Sequence, residues 1–479
     1  MNNLNWELVF KLKEFKAYYN SWDLNELSMG CKEFRKLLHS AVFKSFNFIA
    51  YVEANGYKSL KTDVNEEEDS NENDNNAANN NGEDDDYVDF EMCSLPIDPE
   101  YIADISNIIN PYLPLTQEYI ESKNQFNSDL KNYHSRPKQV VLYHSKDYYY
   151  LLRDIPDVFS RLSTLTIAYS HLTVESLQHL LDSLSHLENF ELTRCYLFQY
   201  PLEQNQIPIN WPYSLVKFNF SDNFASFVED KLSPIRLYNG EITNASNSYL
   251  KLFPKHLPKL TDLVCEVFGQ DPEIECLEEF LKLNTQIKSL KIGGGSLNKK
   301  IFYIIKSYEN LTHLELDYIS YNLRGSSLNE FPILSRISHL SILLRNYLEN
   351  LDLFILKFPN LSSCLIEAIY GDFDQFYDLC IKLPNIKSLK LKQHSSWGHP
   401  IEIILPKIDN LTGIEFSLHS FSEYEKFKMN ADSCKNLNSV KFTEYGDQSS
   451  SNNSNLTPEL TGSWEVVHFH RSFSYYRNY

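Results

Sequence analysis

A hexamer of the form apolar-x-x-apolar-x-apolar returns twelve times between Leu162 and Phe469, and no other feature restricts the fold of this chain as tightly. The first copies are Leu162-S-T-Leu165-T-Ile167, Leu187-E-N-Phe190-E-Leu192, Leu215-V-K-Phe218-N-Phe220, Leu260-T-D-Leu263-V-Cys265 and Ile287-K-S-Leu290-K-Ile292. Next come Leu311-T-H-Leu314-E-Leu316, Ile337-S-H-Leu340-S-Ile342, Leu361-S-S-Cys364-L-Ile366 and Ile386-K-S-Leu389-K-Leu391. The last three are Leu411-T-G-Ile414-E-Phe416, Leu437-N-S-Val440-K-Phe442 and Trp464-E-V-Val467-H-Phe469. Their leading residues are separated by 25, 28, 45, 27, 24, 26, 24, 25, 25, 26 and 27 positions. A unit this short holds one strand and one return segment, and it buries its apolar side only against its neighbours.

Each hexamer alternates with the period of a strand. Between hexamers the period changes: Leu177, Leu180, Leu181 and Leu184 are spaced i, i+3, i+4, i+7, as are Leu351, Phe354, Ile355 and Phe358, and Phe376, Leu379, Cys380 and Leu383. That spacing places each set on one face of a short helix. Strand and helix alternating in units of this size predict a parallel sheet on a concave side with helices outside. The copy from Leu187 to Leu197 reads L-x-x-F-x-L-x-x-C-x-L, the full leucine-rich-repeat pattern, with Cys195 at the Asn/Cys position. Most copies lack that position, so a complete asparagine ladder is not expected. The longest interval holds either a degenerate copy at Leu232-S-P-Ile235-R-Leu237 or an inserted loop, and Pro234 argues against an interior strand there. Pro137-K-Q-Val140-V-Leu142, 25 residues before Leu162, is a candidate for a further copy.

The N-terminal region reads Leu4-N-W-Glu7-Leu8, then Asp23-Leu24-N-E-Leu27-S-M-G-Cys31-Lys32-E-Phe34-Arg35-K-Leu37. This resembles the F-box, whose pattern is L-P-x-E-L, a short helix, and D-L-x-x-L-x-x-V-C-K-x-W/F-R-x-L; Asn5 and Gly30 depart from it. The resemblance implies a small helical domain over 1–48 that docks on a Skp-type adaptor, and through it a cullin, by way of Leu4, Leu8, Leu24, Leu27, Cys31 and Phe34. Phe43-K-S-Phe46-N-Phe48 follows and itself has the repeat hexamer, matching the family's habit of continuing into leucine-rich repeats. Without the resemblance, the same residues read as amphipathic helices that cap the open end of a solenoid.

The formal charge of −20 is concentrated: Asp63 to Glu91 contains 13 acidic residues and no Lys or Arg, which leaves −7 for the rest of the chain. Residues 61–92 therefore read as an acidic, Asn-rich disordered insertion, with the solenoid occupying 93–479 and its clear repeats starting at 162. A chain without a dense basic stripe is unsuited to phosphate backbones or anionic membranes, so neither nucleic acid nor membrane is expected as a partner. Met1 to Phe10 has no basic-then-apolar leader and no stretch reaches the roughly 18 apolar residues of a spanning helix, which suggests a cytoplasmic or nuclear protein. The eight cysteines form no C-x-x-C pair and read as reduced core thiols.

No catalytic residue, metal or cofactor is expected. G-x-S-x-G, G-x-x-x-x-G-K-[ST] and H-E-x-x-H are all missing from the sequence. Gly293-Gly294-Gly295 reads as turn chemistry at a strand end, and His468 and His470 lack the Cys or carboxylate neighbours that a zinc site uses. Binding is instead expected on the concave sheet, where the middle variable position of successive hexamers supplies Lys291, Glu315, Ser341, Leu365, Lys390, Glu415, Lys441 and His468. Glu367 and Lys392 lie beside them. With parallel strands about 4.8 Å apart, Lys390 can reach Glu415. These charges either neutralise one another or meet a protein substrate.

The reading that follows is a non-catalytic substrate-recognition subunit of a Skp–cullin–F-box ubiquitin ligase. The alternative is a ubiquitin-independent leucine-rich-repeat scaffold or inhibitor. GTPase activators of the Ran type also join such repeats to an acidic run, but there the run follows the repeats, whereas here it precedes most of them.

Overall fold

The computed structural model describes residues 45–59, 117–131, 137–199, 206–227, 246–266, 271–293, 296–317, 330–344, 351–368, 383, 385–393, 401–405, 407–418, 427–444, 459–460, 462–469 and 472–477. Leu4, Leu8, Leu24, Leu27, Cys31 and Phe34, the acidic tract, the candidate copy at 232–237, His470 and most of the helical face from Phe376 to Leu383 lie outside the described residues. The chain divides into two compact units. One comprises Met1–Leu187, Arg194–Ile209 and Phe224–Ser248, the other Glu188–Thr193, Asn210–Asn223 and Tyr249–Tyr479.

The first unit contains the parallel strands β1 (Ser45–Asn47), β2 (Gln139–Tyr143) and β3 (Thr164–Ala168). Phe46 is in register with Val140, and Val140 with Leu165. The hexamers at 43–48 and 137–142 thus supply neighbouring strands although the acidic tract lies between them in sequence, and the sheet begins ahead of the expected boundary at residue 93. Helix α1 (Phe48–Ala54) starts at Asn47, whose side chain accepts a hydrogen bond from Ala50 N. Its Phe48 packs edge-on against Phe126 of α2 (Gln117–Leu130), with ring centroids 6.0 Å apart. Tyr57 Oη donates to Asp129 Oδ2 (2.8 Å) and Tyr150 Oη to Lys58 O (2.8 Å), so chain from both sides of the tract shares one core. In α3 (Val174–Ser183), Thr173 caps Ser176 N, and Leu177, Leu180 and Leu181 are buried, the face that the helical spacing marks out.

The second unit carries β4 (Asn189–Thr193), β5 (Lys217–Ser221), β6 (Asp262–Glu266), β7 (Ser289–Gly293), β8 (His313–Asp317) and β9 (His339–Leu344). They are followed by β10 (Ser363–Ala368), β11 (Ser388–Gln393), β12 (Gly413–Leu418) and β13 (Ser439–Glu444). All pair in parallel and in sequence order. β5 pairs directly with β6, Phe218 opposite Leu263, so the 45-residue interval inserts no strand into this sheet. One parallel strand per repeat, with the hexamer's apolar residues turned to the core, is the construction of a leucine-rich-repeat solenoid.

Two local devices fix the register. Most leading hexamer residues close a tight turn onto the residue three before them, as Leu260 N does on Leu257 O and Leu361 N on Phe358 O. Most of these earlier residues are themselves buried and apolar, which extends the repeat backwards. The carbonyl of the second hexamer residue then accepts two successive N–H groups from the next repeat. Thr261 O receives Lys288 N and Ser289 N, Lys288 O receives Thr312 N and His313 N, and Thr312 O receives Ser338 N and His339 N. The pattern runs on to Thr412 O with Asn438 N and Ser439 N.

The outer side differs from the expected row of helices. α4 (Asp271–Leu283) and α5 (Lys299–Lys306) occupy two repeats, and Phe354 and Ile355 sit in a shorter helix, Leu351–Ile355. Among the described residues, three later return segments are strands: Ile401–Ile404, Phe427–Asn430 and Glu459–Leu460 form a separate three-stranded sheet in the second unit. Ile401-E-Ile403-Ile404 is β-branched with little helical periodicity, and such a segment suits a pleated surface.

The C-terminal hexamer departs from the parallel stack. β14 (Trp464–Phe469) and β15 (Ser472–Arg477) form an antiparallel hairpin, and it is β15 that pairs with β13. Only two residues separate the strands, too few for a parallel crossover.

Past the strands, His144, Tyr169 and Arg194 in the first unit and Asp222 in the second adopt positive φ angles of 48–53°. The residue after each is small or polar, and three of these bond to the preceding repeat's backbone: Ser170 Oγ to Leu142 O (3.5 Å), Cys195 Sγ to Ile167 O (3.4 Å) and Asn223 Nδ2 to Leu192 O (2.8 Å). The asparagine ladder is therefore present in mixed form, with Ser and Cys doing the work of Asn over these turns.

Candidate functional site

In the second unit, strand residues alternate between the buried core and an open face. Leu290 and Ile292 are buried, whereas Lys291 between them is not. Register aligns the middle open-face position as Glu191, Asn219, Val264, Lys291, Glu315, Ser341, Leu365, Lys390, Glu415 and Lys441. Two residues on, a second line passes through Gly293 and Asp317, then through Leu343, Glu367 and Lys392.

Lys291 is the hub of one charge cluster. Its Nζ lies 3.1 Å from Glu266 Oε1, 2.9 Å from Glu315 Oε1 and 2.7 Å from Asp317 Oδ2. Burial works against the ammonium charge, but the hydrogen bonds to Asp317 and Glu315 prevail and raise its pKa above the ordinary lysine value. Burial pushes the Asp317 carboxyl up to about 6; a hydrogen bond with Glu266 adds to the rise and Lys291 opposes it. Gly293 lies against Glu266, where a Cβ would come 3.3 Å from Glu266 Cα. The glycine that reads as turn chemistry in the sequence thus leaves room for Glu266 on the neighbouring strand.

A second cluster holds three lysines and two carboxylates. Lys392 Nζ contacts Glu367 Oε1 at 2.5 Å, Lys390 Nζ contacts Glu415 Oε1 at 3.0 Å, and Lys441 Nζ reaches the same oxygen at 3.6 Å. Thr443 Oγ1 also donates to Glu415 Oε1 (3.4 Å) and meets Ser417 Oγ at 2.5 Å. The structure thus brings together Lys291 with Glu315, Lys392 with Glu367, and Lys390 and Lys441 with Glu415. His468 does not join them. The register from Lys441 passes to Ser474 and Val467, whereas His468 faces Phe473, because the hairpin replaces a parallel strand.

Two groupings escaped the sequence reading. His313 and His339, at the first open-face position of adjacent hexamers, stack with centroids 4.1 Å apart and planes 7° apart. Their signal was the repeated Thr-His and Ser-His at one register. In the first unit, Tyr143, His144 and Arg194 surround Tyr169: Tyr143 and His144 rings lie 5.6 and 5.3 Å from it, and Arg194 Nη1 donates to its hydroxyl at 2.8 Å. His144, Tyr169 and Arg194 occupy the left-handed turns, which hexamer counting passes over.

The cysteines among the described residues carry no sign of nucleophilic use. Cys195, Cys265, Cys276, Cys364 and Cys434 are free thiols, and burial pushes Cys364 up to about 12 and raises Cys265, Cys276 and Cys434 as well. No helix among the described residues is long and apolar enough to cross a membrane.

No family model matches the chain, and no curated protein does. Chains of solved structures do match, among them one from the crystal structure of a TLR13–ssRNA13 complex. It is 14% identical, with a TM-score of 0.32, and the match covers 70% of this chain and 54% of that one. This chain therefore spans about half the length of that structure. The leucine-rich-repeat assignment rests on the strand order and register.

Proposed function

We propose that this chain is the substrate-recognition subunit of a Skp–cullin–F-box ubiquitin ligase, engaging an adaptor through residues 1–48 and a protein substrate through the open face of the second unit. The observation that carries this reading is a succession in the sequence: Leu4, Leu8, Leu24, Leu27, Cys31 and Phe34 at F-box spacing, followed within ten residues by the first repeat hexamer. The open face favours protein over phosphate backbone, because its lysines 291, 390, 392 and 441 are matched by carboxylates. Such a subunit supplies no nucleophile or base. It holds a substrate near a ubiquitin-conjugating enzyme and raises its effective concentration there. A cytoplasmic or nuclear location goes with that role.

The test uses the full chain with Leu8→Asp and Leu24→Asp together. Co-purification with a Skp-type adaptor is expected from the wild type and lost in the variant. Equal recovery from both, or no recovery from either, overturns the assignment. A partner whose binding and cellular lifetime are unchanged by the variant would indicate the ubiquitin-independent scaffold.

A further inference from the structure

We propose that the outer edge of β14 pairs with the same edge of a second copy of this chain, giving a two-fold homodimer across one continuous antiparallel sheet. β14 is the last strand of its sheet, and among the described residues no strand pairs with its far side. It reads Trp464-E-V-V-H-Phe469, with no proline, no lysine and one acidic residue, and its register with β15 runs without a bulge. Edge strands are ordinarily protected by those very devices, so an edge of this composition is a template for a further strand.

The ladder shows which backbone groups the edge offers. Arg477 N donates to Asn438 O, so Arg477, Tyr475 and Phe473 turn their backbone groups toward β13. Ser472, Ser474 and Tyr476 then bond toward β14, where their register partners are Phe469, Val467 and Glu465. By the same alternation Val466 and His468 turn their N–H and C=O groups to the outer edge.

That parity restricts how the edge can meet its own copy. In an antiparallel ladder outward-turned residues oppose outward-turned residues, so even-numbered positions face even-numbered positions. A two-fold axis at Glu465 would set two carboxylates directly opposite each other, which is unfavourable. An axis at Val467 would carry half of the bonded pairs past the end of the strand. With the axis at Val466, this residue meets its own image, Trp464 meets His468 of the second copy, and Glu465 meets Val467, all within β14.

An even register also keeps the two cores on one side of the joined sheet. Val440, Tyr475 and Val466 are aligned within one copy, and Val440 and Tyr475 are buried. The apolar row that stops at Val466 therefore continues through the axis into the same row reversed. On the other face Val467 is 37% exposed and Tyr476, beside Glu465, is 45% exposed. Pairing covers Val467 and opposes no like charges. This self-match in backbone, apolar row and charge is what favours a second copy over a foreign strand. One strand edge covers less than a standard interface, so association is expected at micromolar concentration or above.

Sedimentation equilibrium of the full chain, over a series reaching submillimolar concentration, is expected to show a monomer–dimer equilibrium. Val467→Glu sets a carboxylate opposite Glu465 twice per dimer and should raise the dissociation constant about fivefold or more, whereas Val467→Lys supplies the opposite charge and should lower it. Position 467 is on the open face, so neither change should shift the melting of the monomer. Val466→Cys places two Cα atoms about 5.5 Å apart across the axis, within disulfide reach, and should give a covalent dimer under mild oxidation. Val467→Cys and the wild type should not. Cross-linking of Val466→Cys, with weakening by Val467→Glu but not by Val467→Lys, supports the proposal. A monomer throughout the series, or a dimer that Val467→Glu leaves intact and Val466→Cys does not lock, overturns it.

Discussion

Glu266 and Asp317 belong to strands separated by β7, yet a hydrogen bond between their carboxyl groups helps to raise the Asp317 pKa. Lys291, on the intervening strand, bonds to both. Three carboxylates around one lysine leave a local excess of negative charge, and a proton held near Asp317 relieves it.

The pH dependence of stability follows. The folded-state pKa of Asp317, about 6, stands above that of an unfolded carboxyl, so the folded state binds the proton more tightly. The stabilisation from this group is complete below the unfolded value of about 3.9 and is lost as pH rises through the folded value. Asp317→Asn should flatten the gain in Tm seen on acidification from neutral pH to about 5. An unchanged slope in thermal melts would assign that gain to other groups.

Gly293→Val should push Glu266 and Asp317 apart. The new Cβ meets the Glu266 backbone, which cannot swing aside as a side-chain tip can. Overpacking of this kind costs about 1–3 kcal/mol. Denaturant melts report that cost, and carboxyl titration by NMR should show Asp317 returning toward the ordinary range.

The mixed ladder gives a graded set of effects. Asn223→Ala leaves the buried Leu192 carbonyl short of a donor and should cost about 1–3 kcal/mol. Cys195→Ala removes a weaker thiol donor and should cost less, about 1 kcal/mol. Equal losses in urea melts would mean that packing, not donor strength, dominates at this position.

Much of this was legible in the sequence because hexamer positions report burial directly. Leu290 and Ile292 face the core wherever the strand lies, so Lys291 faces away from it. The contact between Lys390 and Glu415 likewise followed from register and spacing. The cluster around Asp317 did not, since it depends on an absent side chain at Gly293 and on a line of residues two positions beyond the middle one. His468 was misplaced because alternation reveals a strand without its direction. The return segments were hard to read for a related reason: Ile401–Ile404 is short enough that packing, not periodicity, decides between helix and strand.

At the cluster around Glu415, stability and binding should separate. Lys390 and Glu415 are partly solvated, and pairs of that kind contribute under about 1 kcal/mol. Glu415→Lys should therefore leave Tm nearly unchanged while altering the salt dependence of capture of a protein partner from cell extract. A fold that collapses on this single reversal would make the cluster structural.

The doubly bonded carbonyl at the second position of most hexamers joins a repeat to its immediate successor, and the chain between hexamers takes no part in that clip. Duplicating or excising a whole interval therefore recreates the same junction, while losing one residue inside a hexamer turns its apolar positions to the wrong side. Intervals of 24 and of 45 residues coexist in this chain without an extra strand in the sheet. A gene built this way can lengthen its loops, or its repeat number, by recombination without having to reinvent the joint.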